Sequence, residues 1–182
     1  ARYQDQTTKV ATDGYPGWLT DWLYRELRGS LARYTPEVIM IWAGANDLLA
    51  CRGTIDFDEC IEKQAIPTII GGLQDMIEVS KASGVKVMLA THPPQRKGGT
   101  PDRGAAADWV PVLNARIAAL AMSEQITLVD LYAGFPADTR TTVSVDGLHL
   151  TEAGYTLVAD IFFGAIKRTF EVPYPAAGTP LR

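Results

Sequence analysis

Histidine and cysteine are scarce in this 182-residue chain, which has two of each. Two cysteines cannot build a disulfide scaffold, and two histidines far apart with no Cys/His cluster give no metal centre, so no metal and no cofactor are expected. Long apolar runs are also missing. None approaches the roughly 20 residues that cross a bilayer, so no transmembrane helix is expected, and no positive segment followed by an apolar core marks a signal peptide. The chain begins at Ala1 rather than Met, from which we expect that an upstream piece has been removed. Basic charge is short: 17 Lys and Arg stand against 21 Asp and Glu, a net charge of −4. The most basic stretch, Gln95-Arg96-Lys97, sits among prolines and glycines, and such a surface has no stripe with which to hold a phosphate backbone, so no nucleic-acid partner is expected. Only five serines occur, Ser30, Ser80, Ser83, Ser123 and Ser144, none in a Gly-x-Ser-x-Gly elbow.

What is present suits one folded domain over residues 1–182, with 47% hydrophobic and 21% charged residues. Thr8-Lys9-Val10-Ala11 reads as a short strand entering the turn-rich Asp13-Gly14-Tyr15-Pro16-Gly17. Leu19, Trp22, Leu23, Leu27 and Leu31 recur at helical spacing, predicting a helix that ends near Gly29 or shortly after. Residues 37–42 form an apolar run between Pro36 and Gly44, the pattern of a strand buried on both faces. A kinked helical region is predicted over residues 57–82, with Pro67 starting its second half. A second strand follows over 85–90, then a Gly- and Pro-rich loop over 95–104. A helix next carries Val112, Leu113, Ile117, Leu120 and Ala121 on one face, and a third strand covers 126–130. The last helix starts at Thr151, whose hydroxyl can cap free amides, and shows Leu157, Val158, Ile161, Phe162 and Ile166. Residues 172–182 read as an extended tail. Alternating strands and helices predict a three-layer α/β/α sandwich around a mostly parallel sheet.

In open α/β sheets the functional loops lie beyond the carboxyl ends of the strands. Three turns fall there: Gly14 after Thr8-Lys9-Val10-Ala11, Gly44-Ala45-Asn46-Asp47 after the 37–42 run, and Asp146-Gly147-Leu148-His149 before the last helix. His149 is a candidate base and Asp146 a candidate partner that fixes its tautomer. The Asn46 amide and the Gly14 N–H are two donors suited to an oxyanion. Each feature alone also reads as an ordinary turn, since Asn and Asp bond to their own backbone; their order and placement together favour a site. His92, at a strand's carboxyl end, is a candidate for the pocket wall or a hydrogen-bonded loop histidine. Trp109, beside the polar loop, is the best aromatic candidate for a substrate contact. Cys51 and Cys60 are close enough in sequence to clip a surface loop, as a disulfide after export or as two thiols in the cytosol.

Gly44-Ala45-Asn46-Asp47 resembles the GxND block of the SGNH hydrolases, also called GDSL lipases and esterases. Asp146-Gly147-Leu148-His149 resembles their DxxH block about a hundred residues later, and Asp13-Gly14-Tyr15-Pro16-Gly17-Trp18 their glycine block. The resemblance implies the flavodoxin-like form of the sandwich and hydrolysis of a small-molecule ester (short acyl or aryl, or an acetylated carbohydrate) through an acyl-enzyme. His149 would be the general base and then acid, Asp146 its orienter, Gly14 and Asn46 the oxyanion donors, and Asp47 a brace for the Asn46 turn. Family habit also favours a secreted or periplasmic protein over a cytoplasmic one.

The family's Gly-Asp-Ser block is absent. It normally ends the first strand, some tens of residues before the glycine block, so a central strand of the expected 2-1-3-4-5 sheet is missing with it. Three outcomes are expected: an N-terminal fragment supplied separately, direct pairing of the remaining strands, or a second copy covering the exposed sheet. Without the serine the alternative function is a weakly active or non-catalytic protein that binds a ligand in the old pocket.

Overall fold

The computed structural model describes residues 9–170; Thr8 and the expected extended tail lie outside them. Helix α1 (Thr20–Tyr34) leads to strand β1 (Val38–Ile41), and α2 (Ala45–Ala50) follows at once. Next come α3 (Phe57–Cys60), a π-helical turn (Ile61–Ala65) and α4 (Ile66–Ala82). Strand β2 (Lys86–Ala90), α5 (Val110–Ser123), β3 (Thr127–Val129), the short α6 (Leu131–Gly134) and α7 (Glu152–Phe170) complete the order. The wide turn before Pro67 has a simple cause: proline carries no N–H for the helical ladder and fits only at a helix start, so the chain relaxes ahead of it. At the start of α7 the Thr151 hydroxyl accepts from the Gly154 amide at 3.2 Å and donates to the Thr141 carbonyl at 2.6 Å, the expected cap.

The three strands run parallel in the order β1-β2-β3. Val87 and Leu89 join the core under α1, α4 and α5, while Met88 and Ala90 join the core under α6 and α7. That period-two alternation makes the three-layer sandwich, with β2 buried on both faces.

Several expectations need correction. Lys9-Val10-Ala11 is irregular and Val10 is exposed, so no strand precedes α1 among the described residues. Helix α1 continues past Gly29 to Tyr34, where Thr35 in the left-handed region stops it. Strand β1 is not doubly buried: it stands at the sheet's edge, with Met40 44% exposed. Helix α7 covers β2 and β3 but leaves Met40 and Trp42 open. The three strands of the described residues are contiguous, with β1 at one edge and β3 at the other. On α5, Val112 faces solvent and Val110 takes its place in the core.

Candidate active site

The GxND turn is built by Gly44, whose φ of 119° lies where L side chains rarely go. A Cβ there would also stand 2.8 Å from Ile69 Cγ2 and 3.3 Å from His92 Nε2. The turn lets α2 start immediately after β1, at the carboxyl end of the sheet. Asn46, half-buried, donates one amide hydrogen to the Trp18 carbonyl at 3.0 Å, and the second hydrogen of that NH2 group is left for a ligand. Asp47 is buried and points the other way. Its carboxylate accepts from the Thr20 amide at 3.2 and 3.1 Å and from the Thr20 hydroxyl at 2.9 Å, fastening the start of α1 to α2. Burial, only partly offset by these bonds, pushes the Asp47 carboxyl above its ordinary range. Asp47 therefore braces the turn from behind.

His92 lies beneath that turn. Its ring is 2% exposed and donates Nε2–H to the Ala43 carbonyl at 3.0 Å. Its backbone is held on both sides by Asn114, N–H to Oδ1 and carbonyl to Nδ2, each at 2.8 Å. Burial lowers its pKa to about 4. The expectation that His92 lines a pocket is corrected here: a fully enclosed neutral ring supports the turn and has no surface to offer a substrate.

The DxxH residues form the tip of a small hairpin, in which Val143 bridges Leu150 and the Ser144 amide donates to the His149 carbonyl at 2.8 Å. Asp146 is the hub. Oδ2 accepts from His149 Nδ1 at 2.5 Å. Oδ1 accepts from the Ser144 hydroxyl at 2.6 Å and from the Leu148 and His149 amides at 3.0 Å each. Burial pushes this carboxyl up, but the bonds from the His149 ring, Ser144 and the two amides outweigh it and hold the group below the usual carboxylate range. A carboxylate accepts only, so the neutral ring carries its proton on Nδ1 and presents an unprotonated Nε2. The His149 side chain is 56% exposed, which leaves Nε2 open to solvent or substrate.

Sequence reading missed what holds this hairpin. The 95–104 loop is zipped along it: Arg96 N–H to the Gly147 carbonyl at 2.8 Å, Thr100 to Val145 at 3.0 Å and Arg103 to Asp146 at 2.9 Å. Arg96 also donates from its guanidinium to the Ser144 carbonyl at 2.7 Å. The two backbones meet so closely that a Cβ at Gly99, Gly104 or Gly147 would run into main-chain atoms of the other loop. The glycine-rich composition of both loops was the available signal. Glycine in a Gly- and Pro-rich loop suggests a solvated segment, but here it is a requirement for close approach.

Gly14 lies in an irregular exposed stretch, and a side chain there would meet nothing within 4 Å. The structure connects it to Asn46 only through its neighbours: Tyr15 stacks on Trp18 with ring centres 4.1 Å apart, and the Trp18 carbonyl is the Asn46 acceptor. Trp109 is half-buried, with its indole N–H on Asp58 Oδ1 at 2.7 Å. Cys51 and Cys60 form a disulfide. All five serine hydroxyls are engaged locally: Ser30, Ser80, Ser83 and Ser123 donate to backbone carbonyls of their own helices, and Ser144 donates to Asp146. Among the described residues no helix is long and apolar enough to cross a membrane.

Comparison with known proteins agrees with this fold. Two similar solved structures are a GDSL-like lipase from Bacteroides thetaiotaomicron (24% identity, TM-score 0.66) and a lipase/acylhydrolase from Enterococcus faecalis (22% identity, TM-score 0.66), each match covering 84% of this chain and 72% of the other. An acetylxylan esterase from Geobacillus stearothermophilus shares the fold at 20% identity and TM-score 0.72, over 90% of this chain and 74% of that one. No curated protein matches the sequence. Residues 1–157 match the GDSL-like lipase/acylhydrolase family, most of the chain and all three motif-bearing turns. The chain belongs to that family and is an esterase-type hydrolase.

Proposed function

We propose that His149, oriented by Asp146, is the general base and then the general acid of ester hydrolysis, with Asn46 and Gly14 as oxyanion donors. The observation that carries this is the 2.5 Å bond from His149 Nδ1 to a carboxylate otherwise fully occupied by donors, on a ring whose Nε2 is open. In the reaction, Nε2 takes a proton from the nucleophile as its oxygen bonds to the acyl carbon. The carbonyl oxygen becomes an oxyanion, and collapse expels the alcohol, which leaves with the proton returned by Nε2. With water as nucleophile the products are an acid and an alcohol; with a serine the acyl group stays on its oxygen until Nε2 activates a water that releases the acid.

The nucleophile in this reading is not one of the chain's own serines, since each hydroxyl is already donated elsewhere. Two sources remain. Water can be activated directly, at a low rate. A serine can also be delivered on a strand that pairs with the open edge of β1, where Met40 and Trp42 stand exposed and the carboxyl end leads straight to Gly44 and Asn46. That strand would come from residues other than these 182, since none of the five serines here lies on a strand.

Short acyl or aryl esters are the substrates of this reading, and the fold shared with an acetylxylan esterase makes acetylated carbohydrate a natural class to try. A p-nitrophenyl ester series from acetate to octanoate tests this. Turnover greatest at acetate is expected; no turnover of any member above the uncatalysed rate leaves only the ligand-binding alternative.

A further inference from the structure

A cleft of about 450 Å3 lies beside the site, and the proposed reaction assigns it nothing. One wall is the segment closed by the Cys51–Cys60 disulfide, contributing Arg52, Phe57 and Asp58; the other contributes Lys97, Asp102 and Trp109. The second wall belongs to the same stretch of chain that is bonded to the His149 hairpin, since the Arg103 amide donates to the Asp146 carbonyl at 2.9 Å.

The chemistry of the walls is specific. The Trp109 ring is fixed in place by its N–H bond to Asp58 across the cleft, and Phe57 adds a second aromatic surface. Lys97 is already paired with Asp108. The Arg52 guanidinium, by contrast, has no partner among the described residues, and Asp102 Oδ1 is buried without one. An unpaired planar donor and an unpaired acceptor beside an aromatic face match a ring that presents apolar C–H on its face and hydroxyls at its edge. Two cations set among three carboxylates do not favour an anion, and so many charges do not favour an alkyl chain.

We propose that this cleft is a saccharide subsite, which seats a neutral glycosyl unit on the alcohol side of the ester, with Trp109 as the platform and Arg52 and Asp102 as hydroxyl partners. The proposal rests on the ester-hydrolase reading for its purpose but is tested without hydrolysis. Cellotetraose, xylotetraose and maltotetraose, none carrying an ester, are titrated against the 182-residue chain by calorimetry and by the Trp109 indole N–H resonance. At least one tetraose is expected to bind with a millimolar Kd and shift that resonance. Trp109→Ala should weaken the binding about tenfold or more and Trp109→Phe by less. If Trp109→Ala does not keep the fold by circular dichroism, Arg52→Ala on the exposed loop takes its place, with a loss of several-fold expected. Absence of a shift with all three sugars, binding indifferent to both substitutions, or displacement of the sugar by inorganic phosphate overturns the assignment. Because no ester is present, these outcomes stand apart from any failure of His149 to hydrolyse substrate.

Discussion

The Ser144 hydroxyl donates to Asp146 Oδ1 at 2.6 Å while the other oxygen of the same carboxylate holds His149 Nδ1 at 2.5 Å. In the proposed reaction Ser144 therefore acts through Asp146, as a positioning residue, and is not itself the attacking group. Ser144→Ala should lower kcat of ester hydrolysis about tenfold, in keeping with the loss of a hydrogen bond to a charged group worth about 1.5 kcal/mol. KM should stay unchanged, and Ser144→Thr should restore most of the rate. Steady-state kinetics on p-nitrophenyl acetate reads this directly.

No serine hydroxyl in the chain is free, and four of the five, three on helices and Ser83 just after one, are bonded to the carbonyl three or four residues back. A serine-directed fluorophosphonate should therefore leave the intact mass of the 182-residue chain unchanged. An adduct that maps to any of the five serines would show that the chain carries its own nucleophile.

Much of this arrangement was legible in the sequence. The β2 and β3 apolar runs, the break at Pro67, the Thr151 cap and the pairing of Asp146 with His149 each follow from local patterns whose physics is local: alternation, a missing N–H, a hydroxyl next to free amides, three-residue spacing. The failures were non-local. The apolar run in β1 speaks to its two faces, and no pattern within it can say that it stands at the sheet's edge, paired by β2 alone, with Met40 exposed. Lys9 to Ala11 has strand-like residues but no partner in the sheet. The 95–104 loop looked solvated because its glycines and prolines say nothing about the Asp146 hairpin fifty residues further on, against which those glycines are packed.

The buried His92 ring makes a pH prediction. Its folded pKa, lowered by burial to about 4, lies below the unfolded value near 6.5. The unfolded chain then binds the proton first as pH falls. Stability associated with this group is fully present above about pH 6.5, declines between 6.5 and about 4, and is level below that, a loss of about 3 kcal/mol at most. His92→Gln, which can still donate to Ala43, should show a smaller drop in Tm between pH 7 and pH 4.5 than the parent chain. Parallel curves for the two proteins would show that the ring does not titrate as its burial demands.

Asp47 should matter to stability through α1. Asp47→Ala removes both acceptors from Thr20 and leaves the buried amide and hydroxyl of that residue unpaired, at a cost of about 1–3 kcal/mol for each group left unsatisfied. Asp47→Asn keeps one acceptor and should lose less. Denaturant unfolding with an unchanged m-value gives the comparison.

The most direct measurement is the rate of p-nitrophenyl acetate hydrolysis by the parent chain, His149→Ala and Asp146→Asn, side by side at pH 7.5 and corrected for the uncatalysed rate. The account predicts that His149→Ala loses about a hundredfold or more in kcat/KM, down to background where the parent rate is itself low, and that Asp146→Asn falls between the two. Equal hydrolysis by the parent and His149→Ala would contradict it.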